Sequence, residues 1–513
     1  MNTFMNAMND ATNYTYTENG GITHKTTKSD LLDMFAMGAA YRNRSDVDVI
    51  NLFKNAYAEN PVYALKCLFY IRDVRGGQGE RRFFRVCMHW LANQDPEAAK
   101  RNLIYVPEFG RWDDLYEFVN TPIEDEAFDI MKHQLALDVQ CKTPSLLAKW
   151  LKSENTSSED SRRLGRITRQ HFGMTARQYR KTLSILRTRI NVLEKLMSEN
   201  RWDEIEFDKI PSRAGMIYKN AFARHDLERQ KNENVQTYAE FAKDKTKTVN
   251  AKTLYPYECV AEAVKVMYGD RYYGWGYHSK NVDLEDTNRL MVNKYWDNLA
   301  DYFNNATFNG IAVVDTSGSM TGSSASAPIN VAISLGLYCA EHNSGPFANH
   351  YVSFSSRPQM IRTDGVDFCD KVERIYRTNL CENTNIEATF DLLFDAARHA
   401  NKDDIPKNVI VISDMEFDSA TSGWRSSSNI NSRNAETVLE GIARKWAAYG
   451  IEMPHLIFWN VDARQNNIPM IGNGRISYVS GFSPSIFETI MSGKTGYELM
   501  MEKLNTERYA CIQ

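Results

Sequence analysis

Cysteine is scarce: eight in 513 residues, at positions 67, 87, 141, 259, 339, 369, 381 and 511, with no CxxC pair among them. That spacing excludes a zinc knuckle and a dithiol redox motif, and fits the reduced thiols of a cytosolic protein. No stretch approaches the ~18 consecutive apolar residues of a membrane span. The opening MNTFMNAMNDATNYTYTENGG lacks the basic start and apolar run of a secretion signal. Net charge is only −4, so a nucleic-acid surface has to be local rather than global. Catalytic signatures are missing as well: there is no GxSxG, no HExxH and no Walker motif. RGGQGERR at 75–82 is basic and glycine-rich, but no Gly-Lys-Ser/Thr follows, so it reads as a tight turn between helices. His89, His171, His278 and His342 stand isolated. These absences predict a soluble, cytoplasmic, membrane-free protein that is not an enzyme.

What is present divides the chain in two. Residues 1–25 read as a flexible arm. From Ser29 to about 304, amphipathic segments follow one another with short polar turns. SDLLDMFAMGAAY opens with a Ser cap and places Leu31, Leu32, Met34, Phe35 and Met37 on one broad face. DVDVINLFKNAYAEN and NPVYALKCLFYIRDV start the same way, behind Asp or Asn. No strand pattern appears here, and the irregular helix pairs predict an all-α repeat module over 26–304. Near 305 the style changes. FNGIAVVD, ANHYVSFS, KNVIVISD and MPHLIFWNV are short β-branched or aromatic runs, separated by helical stretches such as PINVAISLGLYCAEH and IEATFDLLFDAARHA. This alternation predicts a doubly wound, Rossmann-like α/β domain over 305–513 with a mostly parallel sheet.

Ligands of an open parallel sheet collect at the carboxyl ends of its strands. VVDTSGSM ends the first such strand and aims Asp315, Ser317 and Ser319 at one point. CENTNIEATF supplies Thr384 before a helix. VISDMEFD supplies Asp414 directly after a strand, with Glu416 and Asp418 beside it. Carboxylates, hydroxyls and waters suit a hard divalent ion, Mg2+ or Mn2+. Few direct carboxylates leave such an ion short of negative charge, so a partner supplying an acidic ligand is expected.

DTSGS, Thr384 and Asp414 together resemble the metal-ion-dependent adhesion site (MIDAS) of von Willebrand factor A domains. The second loop departs from that pattern, with Glu382 and Asn383 before Thr384 where glycines are common. SDMEFD, FWNV at 458–461 and SGFS at 480–483, together with NGGITHKTTKSDLLDMFAMG, RDVRGGQGERRFF, YVPEFGRWDDL, LAKWLKSENTSS and YRKTLSILRTRINVLE, resemble a little-characterised Ro-like family. That family joins a helical module to a von Willebrand A domain, and the resemblance covers nearly the whole chain. It is more distant to the Ro autoantigen. The Ro TROVE module is a ring of HEAT-like helices that binds small structured RNAs and the single-stranded ends of misfolded ones. The resemblance implies a HEAT-like helical module, open or closed into a ring, and a ribonucleoprotein function.

Residues 161–190 carry nine bases and no acid: Arg162, Arg163, Arg166, Arg169, Arg177, Arg180, Lys181, Arg187 and Arg189. Eight arginines to one lysine suits bidentate phosphate contact. The predicted function is a non-catalytic RNA-binding scaffold. Its metal domain would engage a protein partner. The alternative is a protein–protein adaptor that binds no RNA; a metal-dependent nuclease would need a second metal or a base beside the site. RYYGWGYH at 271–278 reads as packing at the boundary rather than a base-stacking platform.

Overall fold

The computed structural model describes residues 13–513 except 191, 233, 270–285, 304–307, 323, 356, 379–384, 419–436, 472–474 and 492. Thr384 and the 271–278 stretch lie outside the described residues. From Asp30 to Asp297 the regular structure described is helical. Local chemistry sets the helix starts. Ser29 and Ser45 accept the backbone N–H of the third residue on, and Asn60 does the same ahead of Pro61. RGGQGERR forms the turn between helices Pro61–Arg72 and Arg82–Gln94, as its glycines indicated. A Cβ on Gly77 would lie 2.0 Å from the Tyr70 carbonyl oxygen, so only glycine closes that turn.

The second half is built on a six-stranded sheet. Its strands are β3 (Gly310–Asp315), β4 (His350–Phe354), β5 (Met360–Arg362), β6 (Asn408–Ser413), β7 (His455–Asn460) and β8 (Ile476–Ser480), in the order β5-β4-β3-β6-β7-β8. All pairs are parallel except β4 with β5. Strands such as GIAVVD and HLIFWN are buried throughout, as strands covered on both faces must be. Their alternate residues feed two cores. Ile311, Val313, Val409, Val411, Leu456 and Phe458 share one with the helices up to Leu186. Ala312, Val314, Ile410, Ile412, Ile457 and Trp459 share the other with residues 193–303 and helix Pro328–His342. Opposite faces of one sheet therefore serve different portions of the helical half.

The flexible arm expected over 1–25 is not what residues 13–25 form. β1 (Tyr14–Tyr16) and β2 (Ile22–His24) make an antiparallel hairpin. The hairpin docks on the α/β half through bridges from Gly20 to Asp418 and from His24 to Ile468. The docking is stabilised by many-sided polar contact: Thr17 Oγ1 donates to the Phe417 carbonyl at 2.6 Å, and His24 Nε2 lies 2.8 Å from Glu440. In the opposite direction, Tyr509 packs in the helical half between Tyr70 and Phe109. Arg508 donates to Asp73, with its Nη2 at 2.6 Å.

Candidate metal centre and nucleic-acid interface

β3 and β6 are neighbours at the point where the strand order reverses, and their carboxyl ends carry Asp315 and Ser413–Asp414. Such a switch point opens a crevice for ligands. Asp315 is fully buried. Its Oδ1 accepts the Ser317 N–H at 2.9 Å and its Oδ2 accepts the Ser413 hydroxyl at 2.6 Å. Burial first, and then the neighbouring Asp414 carboxylate, push the Asp315 pKa up to about 7. The Ser317 and Ser319 hydroxyl oxygens lie 3.0 Å apart. Ligands at ~2.1 Å in octahedral geometry sit about 3 Å from their neighbours, so this spacing fits two adjacent positions around a magnesium-sized ion. Three of the expected ligand residues thus meet Asp414 at one strand end, while Thr384 lies outside the described residues. Among the described residues no three His, Cys, Asp or Glu side chains form a metal cluster. An ion here would therefore depend on hydroxyl ligands.

The sequence reading missed what faces Asp414. Arg464, in the loop after β7, donates from Nη2 to Asp414 Oδ2, and its Nη1 lies 2.9 Å from Glu18 in the hairpin turn. Glu416 is also buried. Its Oε2 accepts the Glu18 N–H at 2.6 Å and its Oε1 accepts from Asn467 at 2.8 Å. Burial, partly offset by the Glu18 N–H and reinforced by Asp414, raises the Glu416 pKa to about 7. Met415 between the two acids takes a left-handed φ of +64°, a conformation that costs a non-glycine residue about 1 kcal/mol or more. Two signals for these neighbours were present in the sequence. FWNVDAR runs off a strand beside the Asp414 strand, and ENGG is a hairpin turn sequence.

The basic run folds into helices Glu159–Phe172 and Ala176–Arg189, and it does not present nine free charges. Arg187 is drawn inward, donating to the Ala148 and Leu151 carbonyls at 2.8 Å and to Ser153 Oγ at 2.9 Å. Arg162 binds the Thr156 and Ser157 carbonyls, Arg169 pairs with Glu154 at 2.9 Å, and Arg163 pairs with Asp160 at 2.8 Å. Arg189 is exposed and donates to the Val139 carbonyl. Arg166, Arg177, Arg180 and Lys181 are exposed, with no carboxylate partner in the structure described.

A cavity of about 1720 Å3 lies alongside these helices. Eleven of its lining residues are Arg or Lys and four are Glu. Arg180 and Arg187 join it to the basic run, Arg75, Arg81 and Arg82 to the RGGQGERR turn, and Ser326 to the loop after Ser319. Trp112 and Trp150 supply flat apolar surface, and the Arg111 guanidinium stands 4.1 Å over the Trp150 ring. Among the described residues Arg81 forms no ion pair, although Asp113 and Asp114 lie within electrostatic reach. Crowding by protein atoms and the like charges of Arg111 and Arg85 lower its pKa. An arriving anion would offset both effects by stabilising the charged guanidinium.

A helical half bearing a basic cavity, joined to an α/β half with hydroxyl and carboxylate loops at its switch point, defines a two-part protein of the kind the motifs indicated. The chain belongs to the family described as Domain of unknown function (DUF2828), which matches residues 17–172 and 136–307. Residues 309–510 match Domain of unknown function (DUF7788). Uncharacterized protein L728 of Acanthamoeba polyphaga mimivirus is 28% identical over 523 residues, covering 94% of this chain and 85% of the viral one. Among solved structures, the crystal structure of Deinococcus radiodurans Ro (RSR) protein aligns over 96% of both chains at 16% identity, with a TM-score of 0.41. No helix among the described residues is long and apolar enough to cross a membrane.

Proposed function

We propose that the protein is a non-catalytic RNA-binding scaffold of Ro-like type that holds single-stranded RNA in the basic cavity. The single observation that carries this reading is the cavity wall, where Arg75, Arg81, Lys149 and Arg180 form no ion pair among the described residues and Trp112 and Trp150 stand beside them. Cations track a phosphate backbone without sequence choice, and aromatic faces stack any base. The exposed Arg166, Arg177 and Lys181 extend the basic surface beyond the cavity that Arg180 lines. The metal reading belongs to the same proposal. Asp315, Ser317, Ser319, Thr384 and Asp414 would hold Mg2+ or Mn2+, some through water. When bound, that ion supplies a Lewis-acidic position for a carboxylate from a protein partner. The chain's own residues present hydroxyls and buried carboxylates there, a donor set suited to capturing a partner's acidic group through the ion.

Filter binding of an unstructured RNA across a salt series tests the cavity. A log–log slope of about −0.7 per phosphate neutralised is expected. Replacing Arg81, Lys149 and Arg180 by Gln should flatten the slope and weaken all single strands alike. Unchanged binding by that variant would remove RNA from the cavity. Absence of binding by the wild type at low salt would favour the protein adaptor.

A further inference from the structure

We propose that Arg464 is a built-in competitor for the cation of the metal loops, held in place by the β1–β2 hairpin, so that ion binding and hairpin docking oppose each other. The proposal rests on the metal reading above and concerns how that site is closed.

Three observations meet at this point. Asp414 is 1% exposed and its Oδ2 accepts from the Arg464 guanidinium. The same guanidinium reaches Glu18 at 2.9 Å, and Glu18 sits in the turn of the hairpin. That turn is fastened to the Asp414 loop itself. The Glu18 N–H donates to Glu416 Oε2, Asn19 Nδ2 donates to the Glu416 carbonyl and Thr17 Oγ1 to the Phe417 carbonyl, each at 2.6 Å. Gly21 allows the close approach: a Cβ there would lie 2.7 Å from the Phe417 carbonyl oxygen.

A divalent ion ligated by Asp414 needs the charge that Arg464 now neutralises. The Arg464 guanidinium occupies Asp414 Oδ2, and a dication that takes this oxygen as a ligand both displaces that hydrogen bond and repels the guanidinium at contact distance, so the guanidinium has to move off for the ion to bind. Glu18 opposes that movement as long as the hairpin is docked. When the hairpin lifts, Arg464 loses its second anchor and the carboxylate becomes available. Linkage then requires that the ion weaken hairpin docking by the same factor by which docking weakens the ion. The site is in this sense self-capped. An arginine stands in for the metal until the hairpin is drawn away.

Calorimetric titration with Mn2+ alone, on the full chain, tests this together with hydrogen exchange over residues 14–24. Arg464→Gln should bind Mn2+ at least about tenfold more tightly than wild type, the factor by which a closed site populated ten to one depresses apparent affinity. Glu18→Gln, a milder change on the exposed side of the bridge, should shift affinity the same way by less. Asp315→Ala should abolish binding in each background. Saturating Mn2+ should speed exchange of the hairpin amides in wild type, and chelator should restore it. In Arg464→Gln, exchange should no longer respond to the metal. Equal Mn2+ affinity in wild type, Arg464→Gln and Glu18→Gln would overturn the competition and leave the metal reading standing. Hairpin exchange unmoved by saturating Mn2+ would overturn the coupling. No Mn2+ binding by any of the three would overturn the metal reading and this inference with it.

Discussion

Arg72 lies in the helical half with 2% of its surface exposed and donates twice to Asp114 Oδ2, at 2.9 and 2.7 Å. Asp114 also accepts from Arg85 Nε at 2.7 Å and from the Arg111 N–H at 2.9 Å. Removing one member of a buried ion pair strands the other, which typically costs about 3–5 kcal/mol. Because Arg85 and Arg111 remain, Arg72→Met should fall near the lower end, about 3 kcal/mol in urea unfolding. Contacts of this kind were not legible in the sequence. The run 161–190 announces nine charges, yet nothing in it says that Arg187 will turn toward carbonyls more than 30 residues upstream while Arg180 stays in solvent. Long flexible side chains choose their partners from tertiary neighbours, and those neighbours are remote in sequence. Asp315, Ser317 and Ser319 were legible for the opposite reason: their i, i+2, i+4 spacing and the strand before them are local.

Elements were legible where apolar runs were long. β3, β4, β6 and β7 were all anticipated, whereas β5 and β8 were not. β5 is three residues on an open edge, and ISYVS in β8 interleaves serines with its apolar residues, so neither stands out from a loop. The hairpin was missed because its strands are three residues each and their stabilising partners lie in the other half of the chain. Gly21→Ala should destabilise hairpin docking by about 1–3 kcal/mol through overpacking against Phe417, and limited proteolysis should then cut near residues 13–26 in the variant first. Three neighbouring strands also share a titrating contact. His455 in β7 reaches Asn408 in β6 at 3.2 Å and Ser477 in β8 at 2.9 Å. Burial, with Arg475 adding repulsion, lowers its pKa from 6.5 to about 4. The unfolded chain therefore takes a proton near pH 6.5 that the native state refuses until about pH 4. This contribution is intact above pH 6.5 and is lost as pH falls toward 4. In urea titrations at a series of pH values, His455→Gln should lose less stability across that window than wild type.

At the scale of the molecule, the two halves are joined by more than the chain between them. The hairpin ties residues 14–24 to the α/β half, and Arg508 and Tyr509 tie its far end to the helical half. Tyr509 is fully buried, stacked on Phe109 at 5.6 Å and edge-on to Tyr70 at 5.9 Å. Tyr509→Ala should cost about 3 kcal/mol and lower the thermal midpoint of both halves together, since it opens a cavity where they meet. Differential scanning calorimetry would show one displaced transition; two separated transitions would mean the halves unfold independently. The two-part layout was readable from the switch in periodicity near residue 305. The reciprocal fastening was not, because periodicity reports a buried face without naming what covers it.

That fastening has a consequence for how the chain is made. Tyr509 and its partner Asp73 are 436 residues apart, and Thr17 waits 400 residues for Phe417. A ribosome adding about 5–20 residues per second needs roughly 20–90 s to cross the longer interval. Throughout it, Tyr70 has Phe35 and Phe109 has Phe69, but neither has Tyr509, and the hairpin has no completed sheet to dock on. The surface of the first-made helices that Tyr509 covers therefore stays uncovered for most of synthesis, and the pace of translation sets how long.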